Sequence, residues 1–130
     1  MRVTIEEVET SDDGVFVRFR CSVGEGLGVW RSERPARLGT LSCEFTIDPD
    51  AALGTNAFLI EPRPARMWVE AEKLLIEGSV EDVDDDGLFY LRLAPDSLTM
   101  VEAEPGAVSH GDHIRLELRP SELGLYPIGT

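Results

Sequence analysis

Two short runs contain residue types that could hold a metal ion: Asp82-x-Asp84-x-Asp86-Gly87 and His110-Gly111-Asp112-His113. The first matches the opening half of a calcium loop of the EF-hand type. Such a loop takes side-chain oxygens at its first, third and fifth positions, a glycine at its sixth and a bidentate glutamate at its twelfth. The twelfth position here is Leu93, so the strongest ligand is missing. An EF-hand also needs flanking helices, whereas LLIEGSV before the run and LFYLRL after it are short and apolar, the second alternating like a strand. Aspartate and glycine equally suit a turn, because Asp bonds its own backbone and Gly accepts positive φ. A hairpin looped over 83–86 pairs Val80 with Phe89 and Ile76 with Leu93, and sets Glu77 opposite Arg92 on the outer face. That hairpin accounts for the run with fewer demands; weak divalent binding at the bare acidic turn stays open.

The histidine run is weighed the same way. Imidazole and carboxylate suit zinc, but the spacing supplies no fourth ligand. His113 also opens an alternating strand, with Ile114, Leu116 and Leu118 facing in and His113, Arg115, Glu117 and Arg119 facing out. No nucleophile-elbow sequence supports a Ser-His-Asp triad. The two cysteines, Cys21 and Cys43, fall on the inward faces of VFVRFRCSV and LSCEFTI and read as free core thiols without an activating base. The expectation is a protein without a catalytic constellation, metal or cofactor.

Binding chemistry has more support. The run GEGLGVWRSERPARLG, 24–39, reads as the longest loop, and Trp30 is followed in it by Arg31, Arg34 and Arg37. Its glycine spacing is not a dinucleotide fingerprint. Three guanidiniums beside an indole can grip a carboxylate, a phosphate or an acidic partner; they can also pair with Glu25 and Glu33 nearby. Two strands carry aromatics with arginines on their outward faces: Phe16, Arg18 and Arg20 on one, Tyr90 and Arg92 on the other. Stacking plus guanidinium holds single-stranded nucleic acid or acidic partners on β-surfaces, and arginine paired with glutamate across strands has the same appearance. These nine residues are the candidate ligand- or partner-binding set. The tetrapeptide RPAR occurs at 34–37 and again at 63–66 without a wider repeat.

The elements that must position these residues are strands. Candidates run roughly over 2–9, 14–23, 39–48, 56–61, 66–80, 88–94, 97–103 and 113–119, with a last extended piece at 123–128. Glycine and proline punctuate nearly every junction. The best helical stretches are 49–53 and 70–75, and neither is capped. This predicts one all-β domain over 1–130, a small barrel or sandwich of about 8 strands with little helix. In the second half, a long strand, an acidic hairpin, a third strand and Gly111-Asp112 launching HIRLELR resemble the layout of oligonucleotide/oligosaccharide-binding (OB) barrels.

The chain has 130 residues, enough to bury a core without metal or disulfide. Net charge is −13, from 25 acidic and 12 basic residues. That balance opposes general nucleic-acid binding and anionic membranes, and it speeds encounter with a basic protein. No apolar run approaches the ~18 residues of a membrane span, and MRVTIEEVETSDD has no apolar signal-peptide region. The default compartment is therefore the cytoplasm. The function expected is a non-enzymatic interaction module, regulator- or immunity-like, for a protein partner, a basic protein by charge. The alternative is an OB-like binder of single-stranded nucleic acid or a small anionic ligand. Oligomeric state is not legible in this sequence.

Overall fold

Alternation decides the architecture. In the strand containing Val17 and Phe19, both residues are fully buried while Arg18 and Arg20 between and beyond them face out. The same period of two recurs along the chain, and burying each large side chain contributes roughly 1.5–3 kcal/mol. A computed structural model describes residues 1–129. It contains β1 (Arg2–Ser11), β2 (Gly14–Cys21), β3 (Gly24–Trp30), β4 (Gly39–Ile47), β5 (Ala57–Ile60), β6 (Arg66–Glu70), β7 (Lys73–Val83), β8 (Phe89–Ala94), β9 (Ser97–Val101), β10 (His113–Leu118) and β11 (Leu123–Pro127), with a 3₁₀ turn at Pro120–Glu122. The all-β expectation holds.

Five strands close on themselves. β1 pairs antiparallel with β2 and β4, β2 with β3, and β4 with β11, while β11 returns beside β3 in parallel, Gly124 opposite Val29 and Leu125 opposite Trp30. The closed barrel therefore uses the first four strands and the last. The sequence placed it in the second half; the closing strand is separated by the whole of 48–122, too far for local pattern to reveal.

The intervening strands form a second layer. β6, β7, β10 and β5 lie side by side in that order, and the far end of β7 carries β8 and then β9. A bridge between Gly24 and Met67 ties β6 to the barrel, and the buried residues of both parts form one continuous apolar cluster.

Four expectations change in detail. The supposed long loop 24–39 is half strand: 24–30 is β3, and only 31–38 is loop. Its glycines are packing residues. A Cβ on Gly26 would overlap the Phe19 ring and the Met67 sulfur, and one on Gly28 would meet Leu125 and the Leu123 carbonyl. The small residues leave room for large ones in a narrow barrel. The expected strand 66–80 is a hairpin, turning at Ala71 and Glu72 with φ of 49° and 64°. Neither is a usual residue for positive φ, so no turn signal was present, and the helix expected at 70–75 does not form. The stretch 49–53 makes bridges from Ala51 to Ala103 and Leu53 to Ala57 in place of a helix.

The acidic hairpin exists, but its register moves by two residues. Val80 faces Leu91, Asp82 faces Tyr90 and Val83 faces Phe89, with an irregularity between Val80 and Asp82. Up to Val80 the shift is even and keeps side chains on their expected faces, yet it changes partners; past the irregularity Asp82 turns out and Val83 packs against the core. Arg92 stands opposite Ser79 and pairs with Glu81, while Glu77 stands between Arg66 and Arg115 and is fully buried.

Candidate functional site

The nine expected binding residues fall on three separate parts of the surface. On β2, Arg18 Nε donates to Glu7 at 3.1 Å, and Arg20 reaches Glu6 at 3.0 Å and Glu25 at 3.7 Å. The neighbouring strands β1 and β3 thus neutralise the guanidiniums beside Phe16. Around Trp30, the indole N–H donates to the Arg34 carbonyl at 2.6 Å, which folds the 31–38 loop back over the ring. Arg31 pairs with Asp48 at 2.9 Å. Arg34 and Arg37 line a small cavity with Trp30, Leu38 and Leu41, and among the described residues neither has a carboxylate partner. On β8, Arg92 grips Glu81 through two bonds of 3.0 and 2.7 Å and also donates to the carbonyls of Ala94 and Pro95. This pairing holds the Glu81 carboxyl below its usual range. Arg92 is thus fully engaged within its own hairpin, whereas Tyr90 beside it is not.

Tyr90 belongs to a groove that sequence reasoning missed. The groove runs between β4 of the barrel and the β8–β9 hairpin. Phe45, Tyr90, Leu98, Met100 and Ile128 supply its apolar lining, and Glu44 and Asp96 also line it. It continues past Thr46 and Ile47 to Leu88 and Glu102. Tyr126 lies beside it, opposite Glu44 on β11. Four of the eight exposed large apolar side chains gather here: Leu98 (43% exposed), Met100 (58%), Tyr126 and Ile128.

β9 explains the exposure. Its buried positions are Ser97, Thr99 and Val101, and its exposed positions are Leu98 and Met100. A slip of one residue would put leucine and methionine inside. The observed register is held by Tyr90 opposite Met100 and Leu91 opposite Thr99. The strand therefore turns its better apolar face to water. β9 pairs only with β8, so it is also a sheet edge. The legible signal was the SLTMV alternation itself, within a strand expected over 97–103 to which no face was assigned.

The two metal-like runs serve as turns. Asp84 Oδ1 accepts the amides of Asp86 and Leu88, and the Asp84 carbonyl accepts Gly87 N–H, closing the hairpin tip. The tip leaves Asp85 and Asp86 exposed next to Leu88, at the end of the groove. Asp112 Oδ2 accepts the Ser109 amide at 2.8 Å, while backbone bonds between Val80 and the 111–112 segment fix this turn to β7. Among the described residues no three His, Cys, Asp or Glu side chains converge as a metal cage. Cys43 is buried under the groove, and burial pushes its thiol up to about 11; Cys21 is half-buried and also raised by burial. No helix of the described residues is long and apolar enough to cross a membrane.

Comparison with protein-family models, with curated proteins and with solved structures found no match.

Proposed function

We propose that this chain is a non-enzymatic interaction module of the cytoplasm, which holds a basic protein segment in the groove between β4 and β9. The observation that carries this is the inverted β9: Leu98 and Met100 face water while Ser97 and Thr99 are buried. Exposed apolar surface gathered in one channel marks a contact site, whereas scattered single residues do not. Charge supports a basic occupant. Glu44 and Glu102 rim the groove, where Asp96 is paired with the Met1 ammonium at 3.5 Å, the 84–86 tip stands at its end, and the whole chain carries −13. An apolar segment flanked by lysine or arginine would bury its apolar residues against Tyr90, Leu98 and Met100 and be steered there by the acid. Affinity capture from lysate, eluted in salt steps, tests this with wild type beside a Leu98→Ser, Met100→Ser variant. A basic protein held by wild type and lost from the variant is the expected result. Equal retention by both would remove the groove from the account.

The five-stranded closure supports a second reading, an OB-like binder of single-stranded nucleic acid or a small anion on the β2–β3 face. Phe16, Arg18 and Arg20 lie on that face, but their charge is already taken by Glu6, Glu7 and Glu25. Salt-dependent oligonucleotide binding lost in an Arg18→Glu, Arg20→Glu variant would favour it.

A further inference from the structure

Five arginines elsewhere in this protein are paired economically. Arg18, Arg20, Arg31, Arg92 and Arg119 each have a carboxylate that no other guanidinium shares. The outer face of the β6–β7–β10–β5 sheet breaks this pattern. There Glu77, fully buried, is shared by three. Arg66 Nε donates to Oε1 at 3.0 Å, and Nη1 atoms of Arg63 and Arg115 each stand 3.9 Å from Oε2. Oε2 is buried with no hydrogen-bond partner, so the two guanidiniums above it are held by charge at a distance, without closed hydrogen bonds.

The nearest other charges do not restore the balance. Glu117 sits 3.4 Å from Arg115 Nε and 3.8 Å from Lys73. Glu70 accepts the indole N–H of Trp68, the ring that Arg66 covers, and takes Lys73 as its cross-strand neighbour. Around Glu70, Glu77 and Glu117, four cations thus face three carboxylates, a local excess of positive charge on a chain of net charge −13. The guanidiniums stay partly exposed, at 41% for Arg63, 54% for Arg66 and 32% for Arg115, so donors remain available to solvent. Two rings border them: Arg66 lies 3.8 Å over Trp68, and Arg115 lies 5.5 Å over Phe58.

We propose that this cluster is a binding site for a small phosphomonoester, with Arg63, Arg66 and Arg115 holding the phosphate and Glu77 positioning them from beneath. The donor set decides the ligand class. Three guanidiniums that share one buried carboxylate offer donors to the three terminal oxygens of a phosphate, whose charge near neutrality is about −1.5 to −2, where a single carboxylate has only two oxygens. Planar guanidiniums offer paired N–H groups to phosphate oxygens, and Phe58 and Trp68 flank the place where an aromatic substituent would lie. The second RPAR copy gains a purpose here: its two arginines reach the same carboxylate from the β5–β6 connection and the start of β6. The site is independent of the β4–β9 groove.

Titration with inorganic phosphate and with phenyl phosphate, followed by backbone amide shifts and tryptophan fluorescence, tests it. Saturable binding is expected, with shifts concentrated at residues 63–68, 77 and 113–117, and with phenyl phosphate the tighter of the two. Arg63→Gln lies on an exposed connection and should leave thermal stability unchanged, yet weaken binding about tenfold. Glu77→Gln should also weaken binding, although it raises the local positive charge; tighter binding in that variant would overturn the positioning role. Shifts that never saturate, or equal affinity in wild type and Arg63→Gln, would overturn the site itself.

Discussion

β9 and β10 are both short alternating strands, and they make opposite use of their apolar residues. In β10, Ile114, Leu116 and Leu118 are buried, and His113, Arg115 and Glu117 lie on the other face. In β9, Ser97 and Thr99 are buried and Leu98 and Met100 are exposed. The difference shows what sets strand orientation. β10 lies between β7 and β5 and takes the orientation its own pattern prefers. β9 hangs from β8 alone, and its orientation follows the β8–β9 register, with Leu91 against Thr99 and a shift near Ala94. A strand held at one edge can keep an apolar face outward, and that face becomes useful only when something covers it.

The comparison breaks most clearly under truncation. Leu116→Ala in β10 should cost about 2–5 kcal/mol, the range for emptying a packed leucine site, read as a lower urea midpoint at unchanged slope. Leu98→Ser with Met100→Ser should move stability by no more than about 0.5 kcal/mol per site, as ordinary surface changes do. A large loss from the β9 pair would mean that these residues hold the fold together.

The groove floor sharpens the contrast through Cys43. Its thiol titrates near 9.0 when unfolded and at about 11 in the folded chain, because burial disfavours the thiolate. The folded state therefore keeps a proton that the unfolded chain gives up in this window. The contribution is complete below pH 9 and falls away as pH rises towards 11, by up to roughly 2–3 kcal/mol in all. Alkaline unfolding should thus be shallower in Cys43→Ala than in wild type, and a thiol reagent should label Cys21 before Cys43.

The smallest effect concerns the Glu81–Arg92 pair. Arg92 lowers the Glu81 pKa, so the pair stabilises the fold above the unfolded glutamate value and is lost as pH falls through the folded one. Both groups face water, which screens the interaction. Glu81→Gln should lower the neutral plateau slightly and so flatten the acid limb of the stability curve, while leaving stability below the folded glutamate pKa unchanged.

Strand identity was legible because burial obeys a period of two in most of the chain. Val17, Phe19, Cys43 and Phe45 face in as their alternation requires. Contacts made by distant segments were not. Gly24, Gly26 and Gly28 looked like loop residues because their reason for being small lies across the barrel, in Phe19, Met67 and Leu125. Glu77 looked like an outer-face partner for Arg92; a two-residue shift moved it under Arg63, Arg66 and Arg115 instead. Of the candidate residues, only Tyr90 entered the main groove. The arginine signal mixed exposed charges with ones already spent on Glu6, Glu7, Asp48 and Glu81, and a sequence does not record cross-strand pairing.

The most direct measurement is an amide-shift titration with a short peptide that alternates apolar residues and lysines, beside the same peptide carrying glutamates. The account predicts saturable shifts at residues 44–46, 88–90, 98–102 and 128 with the lysine peptide only, reduced strongly in the Leu98→Ser, Met100→Ser variant. Shifts spread over the whole acidic surface, or undiminished in that variant, would contradict it.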